Sequence, residues 1–467
     1  DWIGELEFVG KIAPQHGHVK SGAGFLGVSN QVAAAEFAVG SIAGNLKLAA
    51  PTFFAVNTNG SVLVPAMIQE GGLTLRGGGN LNLQGINTFA GPVVVEHGLL
   101  FADGNFALGA ITGNTTVQPG GTLNLQPSVT SLNEPLTLGG SGVQDTGALQ
   151  AYGDITLPNA ITLASDTVVF VETDRTLEIT GAIGGAGSLT KTGTGTLALT
   201  GSATNTLDGD VYVGAGRLEM NRASGNSIPR RLIVGGSGAE AEAVHLANSE
   251  VDFVTVRRQG RWNLNGFNDS ISDLVLVDGG RVSAPPPGRL NLVDGANLTV
   301  QFGLGVTGTA ALEGVLLLGG VHTFSVADQF APLSDPVDFV LSARVQGDGS
   351  ILKTGSGEMS LTESNSFTGN LSIQGGQVRV GHNDALGTGV GGTLVLNNGG
   401  LVLEPGIGIA HEALTLDSAA RPEFPALWAA GDTNYWTGPV GLKSAARVGV
   451  ATNSLLYLSG QIAGAGD

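Results

Sequence analysis

The chain repeats itself, and a repeat of this kind must bury its apolar side chains against neighbouring copies of itself. Three segments line up: GGLTLRGGGNLNLQGINTFAG from Gly71, AGSLTKTGTGTLALTGSATNTLDG from Ala186, and DGSILKTGSGEMSLTESNSFTG from Asp348. GAGD at Gly464 opens a fourth. The matched glycines Gly72, Gly187, Gly349 and Gly466 stand 115, 162 and 117 residues apart. The outer two units agree well beyond their openings. EPLTLGGSGVQDTGALQAYGD from Glu134 meets EALTLDSAARPEFPALWAAGD from Glu412 at an offset of 278, which becomes 279 after one inserted residue. This divides the chain into 1–71 as the tail of a preceding unit, 72–186, a longer and divergent 187–348, 349–465, and the start of another unit at 466–467.

Within each unit a shorter rhythm runs, as in Leu81-x-Leu83, Leu197-x-Leu199, Val211-x-Val213 and Val378-x-Val380. Alternation puts such side chains on one face of a strand. Gly-Gly pairs interrupt it at Gly120-Gly121, Gly279-Gly280 and Gly399-Gly400. A glycine accepts positive φ, so each pair predicts a tight corner. Sandwich domains use aromatic anchors and long return connections, yet only 5% of this chain is aromatic. A parallel coil needs only small branched side chains stacked turn on turn. The fold predicted is therefore all-β, a right-handed parallel β-helix (β-solenoid) of about 20–25 residues per turn, handed as parallel crossovers are. Leu163 and Leu442, Leu177 and Leu456, and Ile179 and Leu458 are expected inward at equivalent places on separate turns.

Charge and composition narrow the function. With 21 Lys+Arg against 39 Asp+Glu, the net charge of −18 repels a phosphate backbone, so nucleic acid is not an expected partner. There is no cysteine, which excludes disulfides and thiolate chemistry. The most apolar stretch, Val32 to Val56, carries Glu36 and Lys47, so no membrane insertion is read here. No basic-then-apolar leader stands at Asp1. The chain is expected to continue past Asp467 or to stack end to end, because the sequence stays apolar through Leu458 and Ile462 without a polar cap.

The recurring residues Gly187-Ser-Leu189-Thr-Lys191-Thr-Gly193-Thr-Gly195-Thr-Leu197-Ala-Leu199, followed by Asn205-Thr206-Leu207-Asp-Gly209, resemble the passenger-associated (autotransporter-associated) β-strand repeat. The third unit keeps Gly349, Lys353, Gly355, Gly357, Asn365-Ser366-Phe367 and Gly369. The first has Arg76 where the lysine would stand, with Asn87-Thr88-Phe89 and Gly91 intact. The resemblance implies a parallel β-helix in an exported protein, with bacterial surface display in many relatives.

Candidate chemistry is thin. His16-Gly-His18 puts two imidazoles on one strand face but offers no third metal ligand. Gly303-x-Gly305-x-x-Gly308 lacks the strand-to-helix setting of a dinucleotide loop. Asp208 with Asp210, Glu240 with Glu242, and Glu250 with Asp252 are spaced for one strand face, which suits acid–base chemistry and a solvated surface equally. Arg257, Arg258 and Arg261 beside Trp262 form a local basic and aromatic patch able to bind an acidic glycan or a neighbouring subunit. Asn87, Asn205 and Asn365 are expected to serve construction, as left-handed residues or stacked ladders. No cofactor and no catalytic residue is assigned. The function read is a structural rod, scaffold or fibre at the cell surface. The alternative is an adhesin contacting a glycan or a neighbouring cell, and a carbohydrate-active enzyme is third.

Overall fold

The computed structural model describes residues 2–8, 16–19, 26–34, 39–43, 45–48, 52–223, 226–248, 250–329, 337–417 and 425–464, with side chains from residue 39 onward. These form two compact units, 1–230 and 231–467. Both are nearly all β. The one helical element among the described residues is a single 3-10 turn, Val143–Asp145. No helix among them is long and apolar enough to cross a membrane.

Each unit is a parallel β-solenoid. In the first, one register column runs Val62, Leu81, Leu100, Leu123, Leu149, Val169, Lys191, Val213, each residue hydrogen-bonded in parallel to strands one turn away. Every member is buried. Side chains of equal register therefore stack at the strand spacing of about 4.8 Å. Each buried Leu or Val contributes on the order of 1.5–3 kcal/mol, so a column of this length holds the coil without disulfide or metal. A second column runs Leu75, Val95, Val117, Leu138, Leu163, and a third runs Ile155, Leu177, Leu197, Leu218. The second unit repeats the device with Leu232, Val254, Leu274, Leu298, Phe324, Lys353, Ile373, Val395, Leu416 and Leu442.

Turn length varies more than the predicted 20–25 residues, from 100 − 81 = 19 to 311 − 281 = 30. Register shifts inside paired strands, between Leu138 and Gly140, Ile271 and Asp273, and Ile373 and Gly375, absorb part of the difference, and the corners absorb the rest. Two of the three Gly-Gly corners are as expected, with Gly120 at φ 98° and Gly279 at φ 89°. The third is not. Gly399 and Gly400 lie inside the strand Gly392–Leu403, and Asn397 takes the positive φ instead, at 54°.

The duplication is reproduced in register. Leu138 pairs with Leu163 as Leu416 pairs with Leu442, and Ile161 pairs with Ile183 as Val440 pairs with Ile462. Burial follows for one set only. Leu163, Leu177 and Ile179 are buried, whereas Leu442, Leu456 and Leu458 are half-buried. No further strand pairs on Leu456 or Leu458 among the described residues, and the next turn sets Gly464, which has no side chain, against Leu442.

Candidate functional site

The repeat's polar residues come first, because they are the ones a site would recruit. The strands Leu189–Thr192 and Ser350–Thr354 alternate, so Lys191 and Lys353 fall on the same face as Leu189 and Ile351, and both are fully buried. The Lys191 ammonium donates to the carbonyls of Thr192 (3.1 Å), Gly193 (2.8 Å) and Ala215 (3.0 Å). Lys353 donates to those of Thr354 (2.9 Å), Gly355 (3.3 Å) and Gly375 (2.9 Å). An ammonium has three donors and each is used. Two of the carbonyls belong to the lysine's own corner and the third to the next turn, so the lysine ties successive corners together. Burial pushes both amines down to about 8, opposed at Lys353 by the charges of Asp338 and Glu358.

The first repeat corrects the expected alignment. Leu75 pairs with Val95 as Lys191 pairs with Val213 and Lys353 with Ile373, so Leu75 occupies the lysine position. Arg76 is one residue on and exposed; it forms an ion pair with Glu96 at 2.7 Å and lies 3.9 Å from the Phe53 ring centroid. The position therefore accepts an aliphatic side chain. Lys191→Leu is expected to stay within about 1 kcal/mol of the parent, since ending the cost of a buried charge offsets the lost hydrogen bonds. Lys191→Ala, which leaves a cavity, should cost about 2–4 kcal/mol. Thermal unfolding of the pair checks this.

The three asparagines form neither ladders nor left-handed corners. Each bridges the turn before it to the turn after it. Asn87 Oδ1 accepts from the Ile68 N–H at 2.7 Å, and its Nδ2 donates to the Ala107 carbonyl at 2.6 Å. Asn205 joins Ile183 to Ser227 at 2.9 and 2.7 Å, and Asn365 joins Val345 to Ala385 at 2.8 and 2.6 Å. Buried Arg222 adds a longer tie, donating to the Thr180 and Gly181 carbonyls two turns back and to that of Thr200 one turn back.

Of the basic patch, Arg257, Arg258 and Arg261 are exposed, but Trp262 is fully buried. In the strand Gly260–Asn263 alternation sends Arg261 out and Trp262 in. The surface therefore lacks its aromatic member, and Arg281, paired in register with Arg261, takes its place. Arg261 meets Glu313 at 3.4 Å. Arg257 and Arg258 have no ion-pair partner among the described residues.

Trp262 belongs to a buried cluster that alternation alone did not reveal. Its Nε1 donates to His245 Nε2 at 2.9 Å, and Asp269 Oδ2 lies 3.4 Å from the same nitrogen. Since Nε2 accepts from the indole, the ring proton sits on Nδ1, which faces the Ala247 carbonyl at 3.4 Å. Burial pushes His245 down to about 4, against the pull of that carbonyl. Burial pushes Asp269 up to about 7; the N–H groups of Ser270 and Val251 oppose this and the charge of Glu250 adds to it. The two groups act oppositely on stability. The Asp269 contribution is complete below about pH 4 and is lost as pH rises through 7. The His245 contribution is complete above about 6.5 and is lost as pH falls through 4. The stability difference between the parent and Asp269→Asn should therefore shrink by about 1.4 kcal/mol per pH unit between 4 and 7. Denaturant titrations at several pH values measure it.

The other candidates separate. Glu250 is buried and Asp252 half-buried, with Asp252 Oδ1 accepting from Ser272 at 2.7 Å. Asp208 and Asp210 lie outside the strands, and Glu242 is held by Asn263 at 3.3 Å. The Gly303–Gly308 segment is a surface loop with Leu304 at its tip and no helix after it. The backbone at 16–19 is a strand, but the side chains of His16 and His18 lie outside the described residues. No group of three or more His, Cys, Asp or Glu suited to a metal occurs among the described residues.

Residues 73–100, 189–220 and 351–380 match the passenger-associated-transport-repeat family, and these are the segments that hold Leu75, Lys191 and Lys353. The chain is similar to the curated Adhesin BmaC autotransporter of Brucella suis biovar 1, at 24% identity over 405 residues. That match covers 68% of this chain and 11% of the relative, so the chain spans only a small part of the relative's length. No solved structure matches it. A β-solenoid carrying these repeats is a bacterial cell-surface or extracellular protein.

Proposed function

We propose that this chain is a spacing segment of a surface-displayed passenger, a stiff β-solenoid with a structural and non-catalytic role. The observation that carries this reading is the use made of the repeat's polar residues. Lys191, Lys353, Asn87, Asn205 and Asn365 are all buried, and each is spent on backbone groups of its own or adjacent turns. A residue that recurs to close a turn is a building element, and its recurrence says nothing of a ligand. On this reading the divisions near Gly72, Gly187 and Gly349 are unit boundaries of one repeated construction.

A second reading, an adhesive contact, rests on the exposed Arg257, Arg258, Arg261 and Arg281 in an otherwise acidic chain. The relative named an adhesin supports it. The partner such a surface fits is an anionic glycan, met by guanidinium groups in bidentate pairs.

Passing the purified chain over heparin and over uncharged dextran at physiological ionic strength tests both readings. The structural role expects no retention on either. Retention on heparin that Arg257→Ser, Arg258→Ser and Arg261→Ser together abolish would replace it with the adhesive one.

A further inference from the structure

Glu134 and Glu412 are equivalent residues of the duplicated unit, and both are buried. Each accepts a hydrogen bond from a threonine one turn back: Thr115 to Glu134 Oε1 at 2.8 Å, and Thr393 to Glu412 Oε1 at 2.8 Å. They differ in what surrounds the carboxyl. Glu134 is 5% exposed, and its Oε2 is buried without a hydrogen-bond partner. It lines a small cavity, about 10 Å³, together with Asn105, Gly109, Ala110, Ile111 and Asn133. That volume admits one water-sized body.

The backbone explains the opening. In the second copy, Gly391 is stacked on Gly369, and a Cβ placed there would come within 2.2 Å of the Gly369 carbonyl. At the equivalent Gly113 the stack is displaced. Its N–H turns to the Ala110 carbonyl at 2.9 Å, whereas one turn earlier the Gly91 N–H meets the Gly71 carbonyl at 2.8 Å. The absent Cβ of Gly113 would stand 3.2 Å from the Ala110 carbonyl oxygen, 3.4 Å from Glu134 Oε2 and 3.5 Å from the Gly91 carbonyl oxygen. Three oxygens thus surround one vacant position, and one of them is a carboxylate oxygen.

We propose that this cradle binds a single monovalent cation of potassium or ammonium size, held by Glu134 and the carbonyls of Ala110 and Gly91. All three oxygens are acceptors, so the occupant must carry positive charge or donate hydrogen bonds. Magnesium requires octahedral oxygens at about 2.0–2.1 Å and calcium six to eight at about 2.3–2.6 Å, neither of which three widely spaced oxygens provide. Burial pushes the Glu134 carboxyl up to about 7, with the Thr115 hydroxyl opposing, so the proton and the cation compete for the same oxygen near neutrality. The Glu412 copy, whose glycine stack is closed, binds no ion on this account.

The test is thermal unfolding of the whole chain in the chlorides of potassium, ammonium, sodium and tetramethylammonium at equal ionic strength and pH 8. Binding to the folded state alone raises the midpoint with the logarithm of cation concentration. The midpoint should rise in potassium or ammonium relative to tetramethylammonium, which is too large to enter. Gly113→Ala puts its methyl into the cradle at tolerable contact distances, and it should abolish the rise while leaving the midpoint in tetramethylammonium near that of the parent. Glu134→Gln should abolish it as well, which keeps the test open if the alanine variant folds poorly. Equal midpoints in all four salts would mean an ordered water only and overturn the proposal. So would a potassium effect that survives both substitutions.

Discussion

Leu197→Asp is expected to cost about 5 kcal/mol and to unfold the turns around it. Leu197 is fully buried, in register between Leu177 on one turn and Leu218 on the next, both also buried. A carboxylate there has apolar neighbours in its column above and below. It must either stay charged without a partner or take up a proton, and the leucine's packing is lost in both cases. Thr196→Asp, one residue away on the outer face, should change stability by roughly 0.5 kcal/mol or less. Urea unfolding measures both. Limited proteolysis should find the leucine variant cut within residues 177–218 first. Equal stability of the two variants would mean that this strand does not face a core.

Asn365→Leu should cost about 4 kcal/mol although it keeps the branched shape of the side chain and adds apolar surface. It strands the Val345 N–H and the Ala385 carbonyl, on two different turns, and each buried group left unpaired costs about 1–3 kcal/mol. Amide exchange at Val345 should accelerate with it. A loss below about 1 kcal/mol, with Val345 exchange unchanged, would show that the asparagine does not hold the turns together.

The fold was legible because strand alternation survives in Leu81-x-Leu83, Leu197-x-Leu199 and Val211-x-Val213, and because the duplicated units repeat their register. What the polar residues do was harder to read. A lysine ordinarily marks an outer face, yet Leu189-x-Lys191 and Ile351-x-Lys353 already set both lysines on the apolar face. Alternation was the available signal, and the hydrophilic character of lysine masked it. Gly71 and Gly72 allow two alignments one residue apart, one of which sets Arg76 at the lysine position; strand pairing decides for Leu75. Trp262 is masked similarly: its neighbours include arginines, but the strand turns it inward against His245. The cradle at Glu134 left no mark in the sequence, since Gly113 and Gly391 are identical and differ only in how closely each stacks on the turn below.

Successive turns stack in parallel register, with equivalent side chains one strand spacing apart. Thr116, Thr137 and Thr162 form one outward column, with Thr116 paired to Thr137 and Thr137 paired to Thr162. The chain contains no cysteine, so cysteines introduced at these positions two at a time carry the only nitroxide labels. Thr116 with Thr137, and Thr137 with Thr162, are separated by one spacing of about 4.8 Å between backbones, and Thr116 with Thr162 by two. Parallel stacking gives strong and similar dipolar broadening for the two neighbouring pairs and distinctly weaker broadening for the outer pair. Broadening absent from the neighbouring pairs, or strongest for Thr116 with Thr162, would contradict it.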